Sequence, residues 1–256
     1  MKDIAVLMAC WRSPELLRVS IPSLIKSMST NSEIIIILNE PDDESVGYLE
    51  SMGIQFINNE SNCGPSAVDY AIPFIENKFK YVANVNSDMI FSTGWDMELI
   101  KLLEINKPCT VSCCLVEPIH NGHSIYENLG DFLNDGNHEK FNNNLLMGKY
   151  KTEESISYNH PILCTIEDFL SVNGYSDNMK QEWVDLKGRG LDDDFIYRLY
   201  KKYEGNIKYL KSNKAYVYHG ISLNSKKLVN RQGGADVFKT LNGIEINDFR
   251  KMIKYI

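Results

Sequence analysis

Apolar runs alternate with amphipathic stretches along the first half of the chain. Four strands are predicted, at residues 3–9, 33–39, 54–58 and 80–86. Helical spacing of apolar residues predicts the connecting segments, at residues 14–29, near 42–52 and from Pro65 onward. This alternation is typical of βα units on a largely parallel sheet. Open α/β sheets bind ligands outside the carboxyl ends of their strands, so the polar loops there are expected to hold binding groups.

The pattern changes at Glu117. Residues 117–159 are rich in Asn, Gly, His and Glu and show little periodicity, which is typical of a long functional or mobile insertion. Order returns at 161–165, where a short helix over 166–173 follows. A further helix is predicted to begin near Asp192, and a last strand is predicted at 215–219.

Composition limits the class of protein. The 256 residues are 43% hydrophobic and 24% charged, which allows one large core, and we predict one domain. No window of about 18 uncharged apolar residues is present, and the Met-Lys-Asp start does not resemble an export leader. Neither a membrane span nor export is therefore expected.

Cysteine spacing and charge add two expectations. The six cysteines show no Cys-x-x-Cys pair, and several lie in apolar runs, which favours reduced thiols in the cytoplasm. The net charge of −7 argues against broad nucleic-acid binding, because phosphate backbones are held by clustered Lys and Arg. A polyphosphate ligand would need a metal ion or a local basic loop to offset repulsion.

The most informative segment runs from Tyr81 to Trp95. An apolar strand ends abruptly in Asn86-Ser87-Asp88, and Gly94-Trp95 follows. Hard oxygen ligands such as the Asp88 carboxylate suit Mg²⁺ or Mn²⁺. Alone, these three residues equally fit an ordinary turn after a strand.

A second polar segment joins a turn at Gly174 to the acids Asp192, Asp193 and Asp194, with Arg198 one turn later. Acids in the first turn of a helix complement its dipole without any further role. Successive residues point about 100° apart on a helix, so the three carboxylates cannot all face one cleft.

These segments, in this order, resemble GT-A glycosyltransferases, in particular the large inverting family 2. Asn86-Ser87-Asp88 is similar to the Asp-x-Asp motif, with Asn86 in place of the first acid. The acidic segment is similar to the Glu-Asp-x-Asp motif, with Leu191 in place of Glu. His219, at the end of the last predicted strand, matches a histidine that completes the metal site in many GT-A enzymes.

The resemblance implies a mostly parallel central sheet flanked by helices, with a smaller acceptor-side sheet and a C-terminal tail. Residues 1–116 would form the nucleotide-binding half, 117–222 the acceptor-side half, and 223–256 a lid or tail. The mobile lid is expected at 223–234, where Gly233-Gly234 offers a hinge.

The resemblance also implies site residues. Asp88 and His219 would hold Mn²⁺ or Mg²⁺, and Asp192, or else Asp193, would act as catalytic base, with Asp194 mostly structural. The donor would contact Ala9, Trp11, Arg12, Asn39, Asp42, Asn62, Gly64, Asn86, Ser87, Lys226, Lys227 and Arg231. Where the family carries a basic residue and Asn, this chain has Asp69 and Tyr70.

The expected reaction moves a sugar from a UDP, GDP or dTDP donor to a hydroxyl of a glycan or another acceptor. Inversion is favoured, but a retaining enzyme would not need Asp192 as base. Asn86 and Leu191 also leave open a non-catalytic nucleotide- or sugar-binding protein. A nucleotidyltransferase is disfavoured, because Cys10-Trp-Arg-Ser-Pro is not the Gly-rich basic loop of those enzymes.

Overall fold

A nine-stranded sheet forms the centre of the computed structural model, which describes residues 1–119, 124–134, 136–151, 161–186, 190–220 and 231–253. Its strands are β1 (Lys2–Trp11), β2 (Glu33–Asn39), β3 (Gln55–Asn59), β4 (Phe79–Asn86), β5 (Met89–Phe91), β6 (Cys109–Glu117), β7 (Ile125–Tyr126), β8 (Ile162–Thr165) and β9 (Lys208–His219).

Helices connect these strands and cover the sheet. They are α1 (Pro14–Ser27), α2 (Asp43–Met52), a 3₁₀ helix (Gly64–Ala71), α3 (Ile72–Ile75), α4 (Trp95–Asn106), α5 (Asn137–Leu146), α6 (Ile166–Ser171), α7 (Gln181–Asp185), α8 (Leu191–Lys202), α9 (Arg231–Asn242) and α10 (Ile246–Met252).

The order of strands across the sheet is β3-β2-β1-β4-β8-β6-β9-β5, with β7 paired to β6. The first four strands pair in parallel, as the alternating pattern predicts. Strand β8 runs antiparallel to both β4 and β6, while β6 and β9 are parallel. The acceptor-side strands thus continue the central sheet and do not form a second sheet within the described residues.

Strand β1 is buried on both faces because each face packs under helices. Ile4, Val6 and Met8 point into a core with α1 and α4, whereas Ala5 and Leu7 point into a core with the 3₁₀ helix and α8. Successive side chains of a strand point to opposite faces, so the unbroken apolar run of β1 supplies both cores.

Residues 117–159 contain more order than their composition predicts. Strand β7 and helix α5 both lie there, and Phe141 and Tyr150 pack with Ile90, Val116 and Tyr218 in a third, smaller core. Phe141 and Tyr150 are spaced too irregularly to give a periodic signal, but both pack against residues of β6 and β9.

Local signals set the helix ends. The Asp42 carboxylate accepts from the Ser45 amide and caps α2, and Gly53 ends that helix in the left-handed conformation. The segment after Pro65 is predicted as a helix, and it forms a 3₁₀ helix that continues into α3.

All six cysteines are buried free thiols, as their spacing predicts. In the described part of the chain, no helix has the length and apolarity needed to cross a bilayer.

Candidate functional site

Asp88 and His219 meet at the carboxyl ends of two strands. Met89 pairs with His219 in the antiparallel β5–β9 ladder, and the Gly220 amide donates to the Asp88 carbonyl at 2.8 Å. This register brings His219 Nε2 to 3.2 Å from Asp88 Oδ1, although 131 positions separate the two residues in sequence. Long-range strand pairing, which the sequence does not display, creates the pair.

Phe132 packs against the backbone at the end of β9. A Cβ on Gly220 would lie 2.0 Å from Cδ2 of Phe132, so a residue with a side chain cannot fit there without movement. The Phe132 ring also stacks on Tyr218, with ring centroids 6.4 Å apart. The insertion therefore supports the backbone next to His219.

Glu117 is a site residue that the sequence patterns do not predict. It ends β6, and its Oε1 lies 2.8 Å from His219 Nδ1. Its Oε2 accepts from Ser124 Oγ at 2.7 Å. The signal was present, since Glu117 is the first charged residue after the apolar run of β6, as Asp88 is after β4. The loss of periodicity after it places Glu117 in the predicted irregular insertion instead.

Electrostatics around His219 favour its charged form. Burial lowers the pKa of the imidazole, but the carboxylates of Asp88 and Glu117 outweigh it and raise the pKa to about 10. This ring is therefore protonated at neutral pH when no cation takes the place of that proton. A metal ion would have to displace it.

The donor set fits a hard divalent cation that also binds a ligand. Neighbouring ligands of an octahedral ion at about 2.0–2.1 Å lie about 3 Å apart, close to the 3.2 Å between Asp88 Oδ1 and His219 Nε2. Within the described residues no group of three His, Cys, Asp or Glu side chains could hold a metal ion. The described residues would thus supply two ligands, Asp88 and His219, and Mg²⁺ sites are often completed by phosphates and water.

The first two loops of the site are joined by Glu40, which lies at a positive φ of 49° just after β2. Its carboxylate accepts from the indole nitrogen of Trp11 at 2.9 Å and lies 3.4 Å from Arg12 Nε. Trp11 and Arg12, both predicted donor residues, are thereby held at one place. Glu40 itself was not among the predicted site residues.

Other predicted donor residues shape the loops through hydrogen bonds. Asn39 is buried, donates to the Gly64 carbonyl at 3.0 Å and accepts from Asn59 at 2.8 Å. Asn62 accepts from the Gly64 amide at 3.0 Å. Asp42 caps α2. These contacts fix the conformations of the loops.

Ala9 and Asn86 lie side by side at the rim of the sheet, since they are partners in the β1–β4 ladder. Ser87 follows and contacts the Cys10 thiol. Burial raises the pKa of that thiol to about 12, so it is a packing group here.

The three acids at the start of α8 have different surroundings. Asp193 is buried and receives two hydrogen bonds from Arg250 of α10, at 2.8 and 2.7 Å. Burial raises the Asp193 pKa, and Arg250 opposes that rise. Asp194 is also buried and pairs with Arg198 at 2.7 Å and Asn242 at 2.9 Å. Asp192 is half-buried.

Leu191, which stands where the family motif has Glu, lies in an apolar environment. It is buried in the core that also contains Cys63, Ala67 and Val82, on the sheet face that carries the 3₁₀ helix. An acid at this position would be placed among apolar side chains. Leu191 therefore anchors the start of α8, including Asp192, on the side of the sheet where the loop at Cys63 lies.

Asp69 has a structural role in this protein. Its carboxylate accepts from the Tyr175 amide at 2.6 Å and from the Ser176 amide at 2.7 Å. A Cβ on Gly174, which has φ +78°, would lie 2.6 Å from the Asp69 carboxylate. Arg198 donates to the carbonyls of Gly174 and Tyr175. The Gly174 turn is thus held from both sides.

The predicted basic lid cannot be placed. Lys226 and Lys227 lie outside the described residues, as does most of segment 223–234. The backbone of Arg231 begins α9, but its side chain is outside the described atoms. These three assignments, and the lid itself, stay predictions.

The family and fold are identified by comparison with known proteins. The profile of glycosyl transferase family 2 matches residues 5–163. No curated protein matches the chain. The 1–349 segment of S. aureus TarS in complex with UDP superimposes with a TM-score of 0.57 at 12% identity, over 98% of this chain and 69% of that chain. A longer TarS structure gives 0.58 and 13%, over 98% and 42%.

Proposed function

This chain belongs to glycosyl transferase family 2 and has the GT-A fold, and from that premise we propose that it is a metal-dependent, inverting glycosyltransferase. Its donor would be a nucleoside diphosphate sugar and its acceptor a hydroxyl group. UDP is the first nucleotide to test, because the similar TarS structure was determined in complex with UDP.

The observation that carries the proposal is the contact between Asp88 and His219. A carboxylate and an imidazole from two strands converge at 3.2 Å on the rim where open α/β sheets bind ligands. Asp88 and His219 would hold Mn²⁺ or Mg²⁺ at this rim. When bound, such an ion neutralises diphosphate charge and assists departure of the nucleotide.

The negative charge of the protein makes the proposed ion important. The chain carries 34 acidic and 27 basic residues, and Asp69 replaces the basic residue that the family places in this helix. In this protein Asp69 binds the Gly174 turn. The diphosphate therefore depends more strongly on the cation than it would beside a basic residue.

Asp192 is proposed as the general base that accepts the proton of the acceptor hydroxyl. The case rests on the motif, since alignment on Asp194 and Arg198 places Asp192 at the position of the base in the inverting members of the family. Asp193 is paired with Arg250 and Asp194 with Arg198, and both have structural contacts. A carboxylate that receives hydrogen bonds from a guanidinium is held in the fold and is less able to turn toward an acceptor hydroxyl. Asp192 lies at the start of α8, next to the buried anchor Leu191.

Calorimetric titration with UDP, with and without Mn²⁺, tests the metal assignment. We expect Mn²⁺ to strengthen UDP binding by the wild type, and we expect Asp88→Ala and His219→Ala each to abolish that gain. Asp248→Ala is the control, because Asp248 is exposed on α10 and pairs with Lys251. Equal Mn²⁺ dependence in all four proteins would overturn the metal assignment.

A screen for hydrolysis of nucleotide sugars, with Mn²⁺ present, then tests whether the protein is an enzyme. Release of UDP from one donor sugar supports transferase chemistry, and NMR of the released sugar or the transfer product gives the anomeric configuration. Net retention would overturn the inverting assignment and the role of Asp192. UDP binding without turnover of any donor and acceptor pair would favour a non-catalytic binding protein.

A further inference from the structure

His219 lies between two carboxylates that approach different ring nitrogens. Asp88 faces Nε2 at 3.2 Å, and Glu117 faces Nδ1 at 2.8 Å. The two nitrogens lie on different edges of the ring, so an ion bound at Nε2 is out of reach of Glu117. The Glu117 carboxylate must therefore act on His219 itself.

We propose that Glu117 is a positioning residue that accepts a hydrogen bond from Nδ1–H of His219 and thereby directs the Nε2 lone pair toward a cation held beside Asp88. The inference rests on the proposed metal-dependent function. A carboxylate behind a metal-binding histidine fixes the tautomer and ring orientation and raises the basicity of the ligand.

Glu117 is well suited to hold an orientation. It is buried, it terminates β6, and β6 is hydrogen-bonded in parallel to β9, which carries His219. Its second oxygen accepts from Ser124 at 2.7 Å, so both oxygens have partners. A side chain with both oxygens bound loses little further freedom when His219 turns toward a cation.

A purely structural ion pair predicts a different result. Its removal would lower stability, but His219 in the folded molecules would still bind the cation. A positioning role predicts that nitrogen ligation itself is lost. Pulsed EPR of the Mn²⁺–UDP complex separates these cases, because coupling to a directly bound imidazole nitrogen is visible in the echo modulation.

Four variants complete the experiment. Glu117→Ala removes the acceptor, and Glu117→Asp keeps the charge but is one methylene too short to reach Nδ1. Glu117→Gln retains an oxygen acceptor. Glu127→Gln is the matched control, since Glu127 is a buried carboxylate nearby that pairs with Lys149.

We expect Glu117→Ala and Glu117→Asp to weaken Mn²⁺ affinity about 10- to 100-fold and to lose the nitrogen coupling. Glu117→Gln should recover the coupling, and Glu127→Gln should match the wild type. If Glu117→Ala fails to fold, Glu117→Asp gives the same test with less disturbance of the buried site.

Two failures are distinguishable. Wild-type affinity and nitrogen coupling in Glu117→Asp or Glu117→Ala would overturn the positioning role and leave the metal site intact. Absence of nitrogen coupling in the wild type, together with UDP binding that does not depend on Mn²⁺, would overturn the proposed metal site and the role of Glu117 with it.

Discussion

Two groups of acidic residues in this protein have opposite arrangements. Asp88 and Glu117 come from different strands and converge on one imidazole, whereas Asp192, Asp193 and Asp194 are adjacent in sequence and diverge. We call them the strand-end group and the helix-start group. Strand ends of one sheet meet at a common rim, but consecutive helical residues point about 100° apart.

The difference shows how to interpret acids in a sequence. In the helix-start group two of the three carboxylates are paired with arginines of the protein, and they hold α8 to the Gly174 turn and to α10. The strand-end group is paired with a histidine, which can release its Nε2 proton to solvent and bind a metal ion in its place. Acids that are adjacent in sequence therefore have different roles here, whereas Asp88 and Glu117, each more than 100 positions from His219, act on the same imidazole.

Replacing Asp192 gives the largest expected effect. Asp192→Asn should lower turnover about 10²- to 10⁴-fold, the usual contribution of general-base assistance, while UDP affinity stays unchanged. Asp193→Asn is the comparison, and it should act mainly on stability because it weakens the Arg250 pair. Steady-state kinetics and UDP titration of both variants provide the test. Wild-type turnover in Asp192→Asn, with the loss in folded Asp193→Asn, would move the base by one residue.

Removing Arg198 tests whether the helix-start group is structural. Arg198→Ala leaves the buried Asp194 carboxylate without its cation and removes donors to the Gly174 and Tyr175 carbonyls. We expect the free energy of unfolding to fall by about 3–5 kcal/mol in urea denaturation.

Arg18→Ala is the control for that measurement, since Arg18 pairs with Glu44 on the surface. It should change stability by less than about 1 kcal/mol. Similar small losses in the two variants would contradict the distinction between a buried network and a surface pair.

Asp69 is a third kind of acid, buried against the Gly174 turn that Arg198 also binds, and the pH dependence of stability tests its protonation state. Burial raises its pKa to about 6, although Ser176 donates hydrogen bonds to it. The folded state then holds a proton that the unfolded state has released, so this contribution is complete below pH 4 and is lost as pH rises through 6. The loss is of the order of 3 kcal/mol at most.

Denaturation of wild type and Asp69→Asn at several pH values isolates this contribution, because asparagine does not titrate. The stability of the wild type relative to the variant should decrease between pH 4 and pH 7. A difference that is constant, or that increases with pH, would show that Asp69 is ionised throughout and is stabilised by Tyr175, Ser176 and Arg198.

The smallest expected effect concerns the backbone of the strand-end group. Gly220→Ala places a methyl group against Phe132 and should destabilise the protein by about 1–3 kcal/mol. Gly220→Ala combined with Phe132→Ala should recover part of that loss relative to Phe132→Ala alone. Thermal denaturation of the four proteins measures the coupling, and strictly additive effects would mean that the contact is not tight.

The sequence by itself predicted the alternating half of the fold. Strands β1 to β4 were recognised within one or two residues, because an apolar run between polar turns is a local signal. The same logic identified Asp88 and His219 as strand-end residues. The sequence also shows that Asp69 and Leu191 depart from the family pattern, but it does not show which groups these side chains contact.

Only the tertiary structure decided which polar groups meet. Glu117 contacts His219 because β6 and β9 are neighbouring strands, and Asp193 binds Arg250 because α10 packs on α8. Asp69 and Leu191 became structural through contacts with the Gly174 turn and the core. Periodicity reports only which face of an element is buried. Pairing between elements distant in sequence depends on how the whole chain packs, and no local pattern encodes it.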